Sequence, residues 1–211
     1  MTIGIFAHPS QPHERQHGPC GYSPYGGYKP WLRDEFTFRC VYCLERESWY
    51  PDRSASFSVD HVVPQCEDTA LVCEYTNLLY ACTRCNSARR DELLVDPTAV
   101  AFGDHLRLGE DGILVGLTEE GFVLIDILHL NENPALKVRR KYLKIHSLME
   151  RLPGDPDIRS LFLEAFGFPD DMPDLRTLRP PGGNRLPGGA LSCYFARKEN
   201  GVLQADRKSV V

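Results

Sequence analysis

The chain has no apolar run approaching the ~20 residues that a membrane-crossing helix needs. Its opening residues, MTIGIFAHPSQPHERQH, lack a basic segment followed by an apolar one. No secretory leader is therefore expected, and the cytoplasm is the expected location. An excess of positive charge is missing too, since 24 Lys and Arg against 29 Asp and Glu leave a net charge of −5. Nucleic-acid binders are usually basic, so composition counts mildly against that class. Net charge says little about local patches, however. There is no internal repeat, and the order of elements does not supply the βαβ setting of a dithiol redox protein. With 211 residues, 42% hydrophobic and 25% charged, the chain suits one packed soluble domain, alone or with appendages.

Cysteine is not scarce. There are eight, at positions 20, 40, 43, 66, 73, 82, 85 and 193. A reducing cytosol disfavours disulfides. Cys40/Cys43 and Cys82/Cys85 form two C-x-x-C pairs, the spacing of a four-thiolate zinc site. The alternative is two unrelated turns or a redox pair. The other four cysteines read as buried or free thiols.

Along the chain, residues 1–30 form an irregular arm rich in Pro, Gly, His and Tyr. Its tyrosines and His8, His13 and His17 are candidates for substrate contact, or the stretch is a partly ordered leader. A core follows at 31–96. WLRDEFTFR suggests a short helix, CVYC a tight turn, SASFSVDHVVP a strand stopped by Pro64, and NLLYAC a second strand. A helix is expected from Cys85 to about Leu94. At 97–167, GILVGL and GFVLIDILHL flank TEEG and read as a β-hairpin. Residues 134–152 place Ala135, Val138, Tyr142, Ile145, Met149 and Leu152 on one helical face. Asp155-Pro156 and Gly167 bracket another helix. A Pro/Gly-rich tail fills 168–211, with LSCYFA as a last strand. The three histidines His105, His129 and His146 read as surface or satisfied core residues.

Between and beside the cysteine pairs lie Asp60-His61 at a strand end, Asn77 at the start of the next strand, and Asn86 directly after Cys85. The elements CVYC, DHVVP, NLLYAC and CTRCN, in this order over residues 38–94, resemble the HNH endonuclease family. The resemblance implies an α+β fold. Its core is a ββα-metal unit held by a four-cysteine zinc site, with a C-terminal β-hairpin plus helices beyond. It also implies cleavage of nucleic-acid phosphodiesters, with His61 and Asn77 as catalytic residues. Asp60 and Asn86 would hold a catalytic Mg²⁺ or Mn²⁺, and Cys40, Cys43, Cys82 and Cys85 a structural Zn²⁺. Many relatives carry His where Asn86 stands.

The residue types suit that chemistry. Histidine titrates near ~6.5 and accepts a proton from water at neutral pH. Aspartate is a hard oxygen ligand for Mg²⁺ or Mn²⁺. Four thiolates fill zinc's coordination sphere, so that ion is structural. Strand neighbours point to opposite faces, so Asp60 and His61 share a site only if the strand ends there. The family carries Lys and Gly where this chain has Arg89 and Arg90. Both are expected to meet phosphate, with Arg90 signalling a longer or differently ended helix. Lys137, Arg140, Lys141 and Lys144, followed by Arg151, line one helix face. They form either a phosphate-tracking stripe or a solvated surface. The expected partner is nucleic acid, with DNA as substrate, no membrane, and a partner protein or a second copy as further candidates. Phage defence or restriction would use such an enzyme. The alternative is a zinc-stabilised binding module without cleavage, which would need none of Asp60, His61 and Asn86.

Overall fold

The computed structural model describes residues 4–203. Residues 1–3 and the end of the tail, 204–211, lie outside the described part.

Helix α1, Lys29–Glu35, begins with proline at its second position, where no amide bond is lost, and buries Trp31 and Leu32. The chain then turns through two left-handed residues, Thr37 (φ 53°) and Phe38 (φ 58°), into the first cysteine pair. Strand β1, Phe57–His61, pairs antiparallel with β2, Leu78–Cys82, in a register that sets Phe57 against Cys82 and His61 against Leu78. Every residue of β2 is buried, which explains its unbroken apolar run. Helix α2, Thr83–Arg89, follows without a break, so that strand, cysteine knuckle and helix meet at Cys82. This ββα unit sits within an α+β chain.

The expected helix from Cys85 to Leu94 is shorter and begins earlier. It stops at Arg89 because Arg90 takes a left-handed φ of 53°. Glycine tolerates that conformation best, so Arg90 keeps the shape that a glycine would supply.

The C-terminal hairpin exists, but with other strands than expected. After the short helix α3, Phe102–His105, strand β3, Leu106–Leu108, pairs with β4, Leu114–Gly116. The run GFVLIDILHL is not a strand. It forms helix α4, Glu119–Ile127, capped by Thr118, whose Oγ1 accepts from Gly121 N. TEEG is thus a helix start with acids in the first turn rather than a hairpin turn. Gly121 lets α4 pack against α3, for a Cβ there would collide with the carbonyl oxygen of His105.

Helix α5, Asn133–Arg151, buries Ala135, Tyr142, Ile145 and Met149 along the expected face. Helix α6, Pro156–Phe166, is capped by Asp155 and lies against α5. Trp49 stacks on Tyr142 at 3.7 Å and 10°, which joins this pair to the segment that follows the first cysteine pair. LSCYFA is not a strand either. It divides between α7, Pro187–Leu191, and α8, Tyr194–Glu199, with buried Cys193 as the N-cap of α8. The irregular ends are tied down: Pro19 bridges to Asn184, and Tyr194 N donates to Asp34. No described helix is long and apolar enough to cross a membrane.

Candidate active site and metal centre

The four paired cysteines converge. The sulfurs of Cys40, Cys43, Cys82 and Cys85 all lie within 4.8 Å of one another and are buried. Cys43 Sγ and Cys82 Sγ are 3.7 Å apart. Four sulfurs each ~2.3 Å from one central zinc ion would sit roughly 3.8 Å apart, so the spacing fits a tetrahedral thiolate site. The knuckle is stiffened by Val41 N donating to Tyr80 O (3.0 Å) and Cys40 N to Glu45 O (2.9 Å). Arg84 faces Glu45 at 2.5 Å beside the thiolates. Cys20, Cys66, Cys73 and Cys193 are free thiols.

The second centre is built on the other end of the hairpin. Ser58 and Asp60, two apart on β1, share one strand face. Asn86 and Arg89, one turn apart on α2, lie along that face. Asn86 Nδ2 donates to Ser58 Oγ at 2.8 Å, and Arg89 Nη1 lies 2.9 Å from Asp60 Oδ2. The Asp60 carboxylate also accepts from Tyr42 Oη at 2.6 Å and from His61 N at 2.8 Å. A carboxylate offers about four acceptor positions. Three of Asp60's are taken, and one on Oδ1 remains. The Asn86 side-chain oxygen, Oδ1, accepts from no partner among the described residues, while its backbone carbonyl takes Arg90 N at 3.2 Å. This cleft therefore presents two hard oxygen donors, the type that suits Mg²⁺ or Mn²⁺.

His61 closes β1, so strand alternation no longer governs the next residues. Its Nε2 lies 3.1 Å from Val72 O. A carbonyl only accepts, so the proton sits on Nε2 and the lone pair on Nδ1. Burial pulls the His61 pKa below its usual value; the Val72 carbonyl and Asp60 oppose this, and Arg89 adds to it. The ring at neutral pH is therefore a neutral base. Tyr25, from the N-terminal arm, meets it edge-on at 4.7 Å.

Asn77 grips the turn after His61. Its Oδ1 accepts from Val63 N (2.8 Å), and its Nδ2 donates to Val63 O and Leu71 O (both 3.2 Å). Val62 N returns to Asn77 O at 2.8 Å.

Arg89 is not on the surface. It is 1% exposed, and its donors go to the carbonyls of His61, Val62 and Glu92 and to Tyr42 Oη. The expectation that it meets phosphate is overturned, because a side chain this buried, with all three nitrogens engaged, has no reach to one. Arg90, by contrast, is exposed. Lys137, Arg140, Lys141 and Lys144 lie exposed along α5, and Arg140 Nε donates to Asp111 O. Nor are the arm's histidines free for a substrate. His8 bonds Tyr42 O, His13 pairs with Glu35, and buried His17 pairs with Asp34.

Two contributors escaped the sequence reading. Tyr42 lies inside the first C-x-x-C and pins Asp60. Ser58 anchors Asn86, and the period of two along β1 is the signal that could have paired it with Asp60. Tyr25 is one of the arm's tyrosines that the sequence offered as candidates for substrate contact, but no local pattern names His61 as its neighbour.

The comparisons with known proteins agree with this geometry. The family model described as HNH endonuclease matches residues 40–92. Among curated proteins, the Septu protein PtuB of Bacillus thuringiensis is 31% identical over 102 residues. That match covers 44% of this chain and 37% of PtuB, so the shared part is little more than a third of the relative's length.

Proposed function

We propose that the chain is a metal-dependent HNH endonuclease that hydrolyses phosphodiester bonds, with DNA as its substrate. The observation that carries this reading is the His61 imidazole. Its Nε2 is engaged by the Val72 carbonyl, which leaves Nδ1 as the acceptor, and burial keeps the ring neutral. A binding module has no need of a base prepared in this way beside two spare hard oxygens.

Asp60 and Asn86 would hold Mg²⁺ or Mn²⁺, and such an ion supplies positive charge to the phosphate and to the departing 3′ oxygen. His61 Nδ1 takes a proton from the attacking water. The products then carry 5′ phosphate and 3′ hydroxyl ends. Asn77 holds the 62–64 turn that orients the imidazole, while Arg89 and Tyr42 hold Asp60. Cys40, Cys43, Cys82 and Cys85 bind a structural Zn²⁺ that fixes α2 against the hairpin, and so Asn86 against Asp60. Arg90 and the α5 stripe, Lys137, Arg140, Lys141 and Lys144, meet the phosphate backbone. The likeness to the Septu protein PtuB supports phage defence as the setting and a protein partner beside the nucleic acid.

The test is incubation of the purified chain with supercoiled and linear DNA in Mg²⁺ or Mn²⁺, with EDTA as control. Cleavage that appears only with the divalent ion is expected. Absence of cutting on DNA and RNA alike would overturn the enzyme reading.

A further inference from the structure

A chamber of about 140 Å³ lies behind the zinc knuckle, between the N-terminal arm, the turn after α1 and α3. It adjoins an outer cleft of about 520 Å³ with which it shares Pro9, Gln11, His13, Glu35 and Thr37. None of the nuclease residues His61, Asn77, Asp60 and Asn86 lines either space. The chamber is two-sided. Phe36 and Phe102 belong to an apolar floor, while Gln11, His13, Glu35, Thr37 and Arg39 supply polar groups.

Arg39 is the unusual member. Its Nε donates to Thr37 Oγ1 at 2.8 Å. Its two terminal nitrogens have no hydrogen-bond or ion-pair partner among the described residues. The acids that border the two spaces are engaged elsewhere. Glu35 accepts from His13, Gln16 N, His17 N and Tyr75 Oη. Asp34 accepts from His17 and Tyr194 N. Glu14, in the outer cleft, is the remaining acid. Arg197, stacked at 4.8 Å on Tyr194, brings a second cation to that cleft.

The backbone supplies a second, independent observation. Thr37 is β-branched and sits at φ 53°, followed by Phe38 at φ 58°. A β-branched residue there is a genuine outlier, and such strain clusters at ligand sites. Here it turns the Thr37 hydroxyl onto Arg39 and leaves the hydroxyl hydrogen free to donate into the chamber.

We propose that this chamber binds a compact phosphate monoester, with its phosphoryl group on Arg39 and Thr37 and its apolar body against Phe36 and Phe102. An unpaired guanidinium beside an apolar floor matches that combination of charge and ring better than it matches water. The site is separate from the nuclease cleft and does not depend on the function proposed for it.

The test uses the zinc-loaded full chain without added divalent ion, titrated calorimetrically with phenyl phosphate, inorganic phosphate and phenol. Saturable one-to-one binding of phenyl phosphate is expected, with inorganic phosphate weaker and phenol not binding. Arg39→Gln should weaken it roughly tenfold or more, and Arg39→Lys less. His61→Ala should bind as the parent does. Thr37→Gly separates a ligand role from a structural one. Glycine relieves the strain, so the variant should melt higher and yet bind more weakly. It also keeps the test decisive if Arg39→Gln fails to fold. No saturation by ~10 mM or unchanged affinity in Thr37→Gly would each overturn the proposal.

Discussion

Arg89 Nη1 and Asp60 Oδ2 lie 2.9 Å apart, with the two side chains only 1% and 6% exposed. The pair fastens the helix after the second cysteine knuckle to the strand that ends in His61. Removing the cation would leave a buried, unpaired carboxylate together with the stranded carbonyls of His61 and Val62.

Arg89→Met is therefore expected to destabilise the fold by about 3–5 kcal/mol, measured by urea unfolding. DNA affinity at a temperature where the variant is folded should stay near that of the parent. The opposite result, weakened DNA binding with unchanged stability, would make Arg89 a phosphate contact after all.

Zinc should matter to catalysis without touching a catalytic group. About one equivalent is expected by metal analysis, resistant to mild chelation. In Cys40→Ser/Cys82→Ser it should be absent, and cleavage should fall with it. Retention of full activity in a zinc-free protein would contradict the role given to the knuckle.

The α5 stripe makes a prediction about salt. Replacing Lys137, Lys141 and Lys144 with Gln should leave thermal stability within about 0.5 kcal/mol, since none of the three belongs to the buried face of α5. The slope of log affinity against log salt should become shallower by up to ~3 if all three meet phosphates. An unchanged slope would return the stripe to a plain solvated surface.

His61 sets the acid limb of the rate profile. Its pKa is lowered, so the neutral base persists below the usual histidine range of ~6.5. Cleavage should decline only as pH falls past that range. The same shift has a stability consequence. The unfolded chain binds the proton first, so stability contributed by neutral His61 is present above the unfolded pKa and is lost as pH falls toward the folded one. A limb above ~6.5 would contradict the burial effect.

How much of this was legible depended on how local each signal was. The ββα unit was readable because its chemistry is packed into short strings, with CVYC, DHVVP and CTRCN each a turn or strand end. The helix at 134–152 was readable from its period. GFVLIDILHL misled because a largely apolar run fits a strand and a helix alike, and the Thr118 cap decides for the helix. LSCYFA failed for the same reason. Arg89 was misread because sequence shows charge but not burial, and its partners are backbone carbonyls that no motif records. Tyr25 reaches His61 across the fold, which no local pattern encodes.

The most direct measurement is single-turnover DNA cleavage by His61→Ala beside the parent, with DNA affinity determined separately in EDTA. The account predicts equal affinity and a rate reduced by about 10²–10⁴, with no loss of zinc. Equal cleavage rates in the two proteins would contradict it.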